Sequence, residues 1–337
     1  MMLPADRDDC RTETPPKQQT VVRSAKRHRG VVVPMVTPFT AGEELDEKAV
    51  RTIIDYLLEG GVDGVFVLGT TGESASIPMA MRSRLIRLTA AHVAGRALVY
   101  AGISDNCLSH SLELARESFG LGVDAVVAHP PCYFQLSQEE LFDYFTLLAD
   151  NIKGPLLLYN IPSTTHISLP LEVIARLSEH PNVVGLKDSE NTSGRPEQTV
   201  KLVGGREDFS LFMGVSVLSA RAFALGMDGS VPSSGNLVPQ LWHRMYLAAQ
   251  KGDWPEVERM QATANRAASV LQRNRTLGQS LAALKAAMST QGLCEPCMLP
   301  PLHSLTESQI ETIRKDLGFL ETVGLCPQRR AAARPGH

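Results

Sequence analysis

"GVDGV" at residues 61–65 is echoed by "GVDAV" at 122–126 and "GMDGSV" at 226–231. Each copy sets a helix-ending glycine just ahead of an apolar strand. The copies begin 61 and then 104 residues apart, spacings close to two and four β-α units. Around them, short apolar runs at 31–39, 62–69, 97–104, 123–130, 155–162, 183–189, 210–215 and 229–235 are mostly continuous valine, leucine and isoleucine. That is the composition of parallel strands covered on both faces. Between them lie amphipathic segments such as 46–60, where Val50, Ile53, Ile54, Leu57 and Leu58 form one stripe and Gly60-Gly61 supplies the stop. Eight such units in about 210 residues predict a closed, eight-stranded parallel α/β barrel, the TIM barrel; an open doubly wound sheet would also want a Gly-x-Gly-x-x-Gly turn.

The chain divides around that barrel. Residues 1–29 are polar, contain proline and end in the bunched Arg23, Lys26, Arg27 and Arg29, a composition expected of a disordered arm. Residues 30–250 are assigned to the barrel, 251–322 to a C-terminal helical subdomain and 323–337 to a flexible tail. The helical part opens with "DWPE", where Asp253 can cap, Pro255 suits the first turn and Glu256 would complete a capping box.

Composition narrows the function. The 337 residues carry a formal net charge of −3 with both signs interleaved, so no basic field exists to hold nucleic acid or an anionic membrane. No run approaches the ~20 apolar residues of a membrane span. Six cysteines, at 10, 107, 132, 294, 297 and 326, are too sparse for a disulfide framework and point to a reducing, cytoplasmic setting. The close pair "CEPC" lacks the second ligand pair or histidine cluster of a metal site and reads as ordinary structural cysteines; no metal and no cofactor are expected.

In such a barrel the reactive groups stand at the C-terminal ends of the strands. The second strand ends in "GTTGES", where Gly69 and Gly72 flank Thr70 and Thr71; exposed backbone N–H groups and two hydroxyls there could cradle a carboxylate or a carbonyl oxygen. The fourth runs into "HPPCYF", presenting Tyr133, and the fifth into "YNIP", presenting Tyr159. Either tyrosine alone reads as a core or rim aromatic. The sixth, "VVGLKDS", delivers Lys187 at the end of an apolar run, where an ammonium group either snorkels to water or is there to react. Pleat alternation sets Gly185 and Lys187 on one face and Leu186 and Asp188 on the other, and the glycine is expected to leave room for a ligand. A lysine amine attacks carbonyls only when neutral, and desolvation raises that fraction. Lysine, tyrosines and an anion cradle together suit imine chemistry on a 2-oxo acid.

With "VTPF" at 36, "GTTGES" at 69, "PCYF" at 131, "YNIP" at 159, "GLKDS" at 185 and "SGN" at 234 in order, the sequence resembles the dihydrodipicolinate synthase and N-acetylneuraminate lyase family of Schiff-base-forming barrels, over about residues 31–320. The resemblance implies Lys187 as the Schiff-base lysine, Tyr159 as proton relay, and Thr70 and Thr71 as ligands of the pyruvate carboxylate, with Thr70 linking the tyrosines. It also implies Tyr133 as a relay tyrosine delivered across a tight dimer contact, Gly72 in the carboxylate turn, Gly214 and Val231 as pocket-lining residues, and a homotetramer built from dimers.

One departure bears on the substrate. The synthases follow "YN-P" with a serine and an arginine that grips the carboxylate of aspartate semialdehyde, whereas here Thr164 stands in that place and is expected to contact the substrate instead. No lysine or arginine occurs between Gly154 and Ala175. The expectation is therefore an aldolase that reversibly cleaves a 4-hydroxy-2-oxo acid, such as a 2-keto-3-deoxy sugar acid, to pyruvate and a neutral aldehyde. A condensing synthase and a non-catalytic 2-oxo acid binding protein are the alternatives.

Overall fold

The computed structural model describes residues 26–325. Its strands are β1 (Gly30–Pro34), β2 (Gly64–Val67), β3 (Leu98–Gly102), β4 (Ala125–Ala128), β5 (Leu156–Asn160), β6 (Val183–Asp188), β7 (Ser210–Met213) and β8 (Gly229–Ser230). They pair in chain order and close into a barrel, β8 returning to β1 through Gly30 opposite Gly229 and Val31 opposite Ser230. The expected TIM barrel with a C-terminal helical part is the observed fold. Each strand is shorter than its apolar run, and the last is shortest because a 3₁₀ turn takes over at Ser233–Asn236.

The reason for the continuous apolar runs is visible in the burial. Val32, Phe66, Tyr100, Val127, Leu157 and Phe212 fill the barrel interior. Their neighbours Val31, Val33, Val65, Val67, Val126, Leu156 and Leu158 belong to the layer between the strands and the surrounding helices. Both faces exclude water, so neither can be polar. The helix Glu47–Glu59 shows how the outer ring is made: Asp46 caps it by accepting from Ala49 N at 2.9 Å, and Val50, Ile53, Ile54 and Leu57 are fully buried beneath it.

The aspartate of each echo now has a physical role. Asp63, Asp124 and Asp228 each accept, at 2.8 Å, the N–H of the second residue of the preceding strand, from Val31, Val99 and Leu211. Three carboxylates thereby pin three strand starts at the bottom of the barrel, the end away from the chemistry. The end of the basic segment docks there: Lys26 Nζ lies 3.0 Å from Asp228 and 2.6 Å from the Phe209 carbonyl, and Arg27 pairs with Asp124. Residues 26–29 of the arm expected over 1–29 are thus held against the barrel by Asp228 and Asp124; residues 1–25 lie outside the described residues. The first residues of the tail expected over 323–337 are likewise in contact with the barrel. Leu325 is buried and its carbonyl accepts from Gln240 at 2.8 Å, while 326–337 lie outside the described residues.

His28 is buried beside these pairs, its Nδ1 3.0 Å from the Tyr100 hydroxyl. Burial, helped by the Arg27 guanidinium, pushes the imidazole down from 6.5 to about 4. Between those two pH values the unfolded chain binds a proton here that the folded chain refuses. Stability should therefore fall as pH falls through that window and be untouched above it. Urea unfolding at pH 7 and pH 5 should show a smaller acid loss in His28→Phe than in wild type; equal losses would remove His28 from the account.

The helical part consists of Trp254–Gln272, Leu277–Thr290, Glu307–Asp316 and the short Phe319–Thr322. Asp253 does cap the first of these, accepting from Glu256 N at 3.3 Å. The expected capping box is not formed, because Glu256 turns to Arg259 in a two-point pair of 2.6 and 2.7 Å. The buried Gln261 side chain fastens this helix to the barrel top through Ala220 N and the Ser216 carbonyl.

Candidate active site

A cavity of about 380 Å³ opens at the C-terminal ends of the strands and is roofed by the helical part. Lys187 rises into it from β6, opposite Tyr159 of β5 in the strand register. The pleat assignment holds: Leu186 packs outward, whereas Lys187 joins the interior, 5% exposed. Its Nζ lies 3.9 Å from the centre of the Tyr159 ring and 4.9 Å from that of Phe66, and it makes no hydrogen bond or ion pair among the described residues. Two aromatic faces are its company, an environment that supports a cation only partly. Gly185 is small for a different reason from the one expected. A Cβ there would come within 2.5 Å of the Ser210 carbonyl of β7, so the glycine permits strand packing rather than making room for a ligand.

Behind the lysine, Asp188 faces the other way. It pairs with Arg195 at 2.9 Å, accepts from Asn160 Nδ2 at 2.8 Å and from Glu190 N at 3.0 Å. Burial works to raise the Glu190 carboxyl, but hydrogen bonds from Ser168, Asn160 and Thr192, with the Arg195 charge, bring it below its ordinary value. This charged lattice locks the tops of β5 and β6 together, and so fixes Tyr159 against Lys187. Its members were not singled out in the sequence, although "KDSE" followed by Arg195 concentrates charge where a strand top should be apolar.

The "GTTGES" turn stands across the cavity. Gly72 N donates to Gly69 O at 3.0 Å and Thr37 of "VTPF" donates to the Gly72 carbonyl at 2.8 Å. The backbone N–H groups of Thr70 and Thr71 have no acceptor among the described residues, and both side chains line the cavity. The Thr70 hydroxyl is 3.3 Å from that of Tyr159. His129, at the end of β4, packs edge-on to Tyr159 with ring centres 6.2 Å apart. Burial pushes its imidazole down against the 2.8 Å hydrogen bond to Pro130 O, and the Lys187 amine pushes the same way. The set thus brings together a desolvated amine, a phenol–hydroxyl pair that can carry a proton, and two N–H donors without an acceptor among the described residues.

Gly214 and Val231 line the cavity as expected. At Gly214 a Cβ would strike Ser189 Oγ at 2.0 Å. Two expectations do not fit this chain alone. Thr164 is not at the cavity: the segment Pro162–Thr165 coils into one helical turn, Thr164 Oγ1 donates to the Ile161 carbonyl at 3.3 Å, and its neighbour Ser163 reaches the lining. Tyr133 is 80% exposed, stacked edge-on against Phe134 and not among the residues that line the cavity. The sequence reading also missed one wall, made by Leu271, Gln272, Leu277, Ser280, Leu281 and Leu284 of the helical part.

Residues 27–319 match the profile of the Dihydrodipicolinate synthetase family. The chain belongs to this family. Family membership makes it an enzyme of the class I aldolase type. Curated relatives named 4-hydroxy-tetrahydrodipicolinate synthase include that of Oceanobacillus iheyensis, 31% identical over 86% of this chain and 97% of the relative. That of Azoarcus sp. is 33% identical over 83% and 94%. Among solved structures, dihydrodipicolinate synthase from Bacteroides thetaiotaomicron superposes with a TM-score of 0.84 at 33% identity, covering 88% of this chain and all of that one. YagE of E. coli K12, a prophage protein of the same family solved with pyruvate, gives 0.83 at 26% identity, over 89% and 99%. No helix among the described residues is long and apolar enough to cross a membrane.

Proposed function

We propose that this family member forms an imine between Lys187 and the C2 carbonyl of a 2-oxo acid, pyruvate when the bond is made and a 4-hydroxy-2-oxo acid when it is broken, and uses it to make or break the bond between C3 and C4. The Thr70 and Thr71 N–H groups and hydroxyls receive the carboxylate, directing C2 at the amine. Attack gives a carbinolamine, which loses water to leave a protonated imine. Tyr159, linked to Thr70, delivers the proton that departs with the water. In the cleavage direction the 4-hydroxyl yields its proton to the Tyr159 phenolate, the C3–C4 electrons move into the imine, and the aldehyde leaves. The enamine is then protonated at C3 and hydrolysed to pyruvate and free Lys187. Pyruvate in the related YagE structure supports the choice of keto acid.

The observation that carries the aldehyde assignment is the lining itself. Among the described residues Lys187 is its sole charged side chain, and the remaining polar groups include Ser163, Ser189, Asn191, Ser216, Ser233, Gln272 and Ser280. Hydroxyls and amides suit a neutral, hydroxylated aldehyde. A second carboxylate would find no cation there, at a cost on the order of a hundredfold in recognition. The relatives' names favour a second reading, condensation of pyruvate with aspartate semialdehyde.

Borohydride reduction with pyruvate followed by intact-mass measurement tests the imine. A competition between glyceraldehyde and aspartate semialdehyde, read as kcat/KM, then decides the aldehyde. We expect the neutral aldehyde to lead; preference for the semialdehyde would establish the synthase reading, and pyruvate binding with neither adduct nor turnover would mean a binding protein.

Two further proposals concern the setting. The exposed Tyr133–Phe134 pair supports a dimer in which each copy lends Tyr133 to its partner's site, within a tetramer. Sedimentation as a monomer at micromolar concentration would exclude that arrangement. The free state of all four described cysteines supports a cytoplasmic location.

A further inference from the structure

The carboxylate turn is flanked by two costly backbone conformations. Leu68 and Glu73 both have φ of 58°, a left-handed geometry that residues with a side chain adopt sparingly. At Glu73 the compensation is visible. Its carboxylate is fully buried, Oε1 standing 2.5 Å from Nζ of Lys285, itself 1% exposed, as a close ion contact rather than an aligned hydrogen bond. Oε2 accepts from Leu299 N at 3.2 Å. Lys285 Nζ donates to the Cys297 carbonyl at 2.7 Å and lies 4.2 Å from the centre of the Phe39 ring. Burial pulls the Lys285 amine down while the Glu73 charge holds it up.

We infer that Lys285 is a positioning residue for the catalytic turn, acting from the helical part through Glu73 to aim the Thr70 and Thr71 donors. This rests on the reading that those donors receive the carboxylate of a 2-oxo acid. The geometry argues for aim rather than mere attachment. Gln261 and the buried apolar side chains already fasten the helices to the barrel, whereas the ion pair ends on Glu73, which directly follows Gly72 in the turn. The pair's amine is anchored on the Cys297 carbonyl and its carboxylate on Leu299 N, two groups of one backbone segment, and a buried pair fixes direction as a solvated one cannot. Leu284, the residue before Lys285, lines the cavity. One helix thus holds the carboxylate end by its charge and walls the other end by its leucines.

Lys285→Met alone strands a buried carboxylate, so the double variant E73Q/K285M, which removes both charges, is the one to measure. The first readout needs no ligand: hydrogen exchange of peptides covering residues 68–77, compared with β5 and β6. The second is the pyruvate concentration giving half the maximal borohydride-trapped adduct. We expect faster exchange confined to the turn, and a half-saturation concentration raised about tenfold, as for one misaimed hydrogen bond to a charged group, with adduct at saturation retained. Unchanged exchange, or acceleration spread over the whole barrel, would overturn the positioning role. So would an unshifted half-saturation in a protein that forms the adduct. If wild type itself forms no adduct, the imine reading fails, and the exchange data alone decide the role of Lys285.

Discussion

Lys187→Met should abolish turnover and the pyruvate adduct while leaving the barrel at least as stable as wild type. The two halves of this expectation come from one feature. The amine is 5% exposed and has two aromatic rings in place of a hydrogen-bond partner, so the fold gains little from it. Methionine of similar length would fill the same space and remove the desolvation cost, a gain of about 1–3 kcal/mol. Thermal unfolding beside a turnover assay reads both. The outcome that sinks the assignment is residual activity within tenfold of wild type. A strongly destabilised variant would mean instead that Lys187 supports the fold, through contacts the structure does not show.

Tyr159→Phe should keep the adduct but form it slowly, with turnover reduced by a factor of about 10²–10⁴, the usual contribution of a positioned proton donor. Phenylalanine retains the ring that lies 3.9 Å from Nζ and the edge contact with His129. Only the hydroxyl facing Thr70 is lost. Rapid-quench trapping with pyruvate separates the rate of imine formation from its final extent. A slow approach to a full adduct supports the relay; a normal rate would transfer the proton chemistry to another group, and a reduced extent would indicate a binding role.

How far the sequence foretold these features depended on the kind of pattern involved. The barrel was legible because a strand buried on both faces must be apolar throughout, and the three Gly-x-Asp echoes mark where strands begin. Lys187 was legible because strand alternation is strict: knowing that Leu186 faces the helices is enough to send its neighbour inward. Gly185 was misread because a missing side chain says only that space is needed, not whether a ligand or the β7 backbone needs it. Thr164 was misread because position in a motif does not fix a local helical turn. The wall from the helical part was hidden, since Gln272 and Ser280 look like any solvated residues of an amphipathic helix. Lys285 did leave a signal. A lone cation inside "LAALKAAM" has apolar neighbours on every side, and such a residue needs a buried partner.

The cavity is assembled from two stretches of chain. The strand tops and their loops hold the groups assigned to the imine, and the 271–284 segment forms much of the wall assigned to the aldehyde. Mutations in that segment can therefore change the accepted partner without disturbing the reactive centre, so selection can explore new substrates while the chemistry is conserved. Within that freedom Lys285 is the fixed point: the helix can be rewritten around it, but its charge is tied to the carboxylate turn.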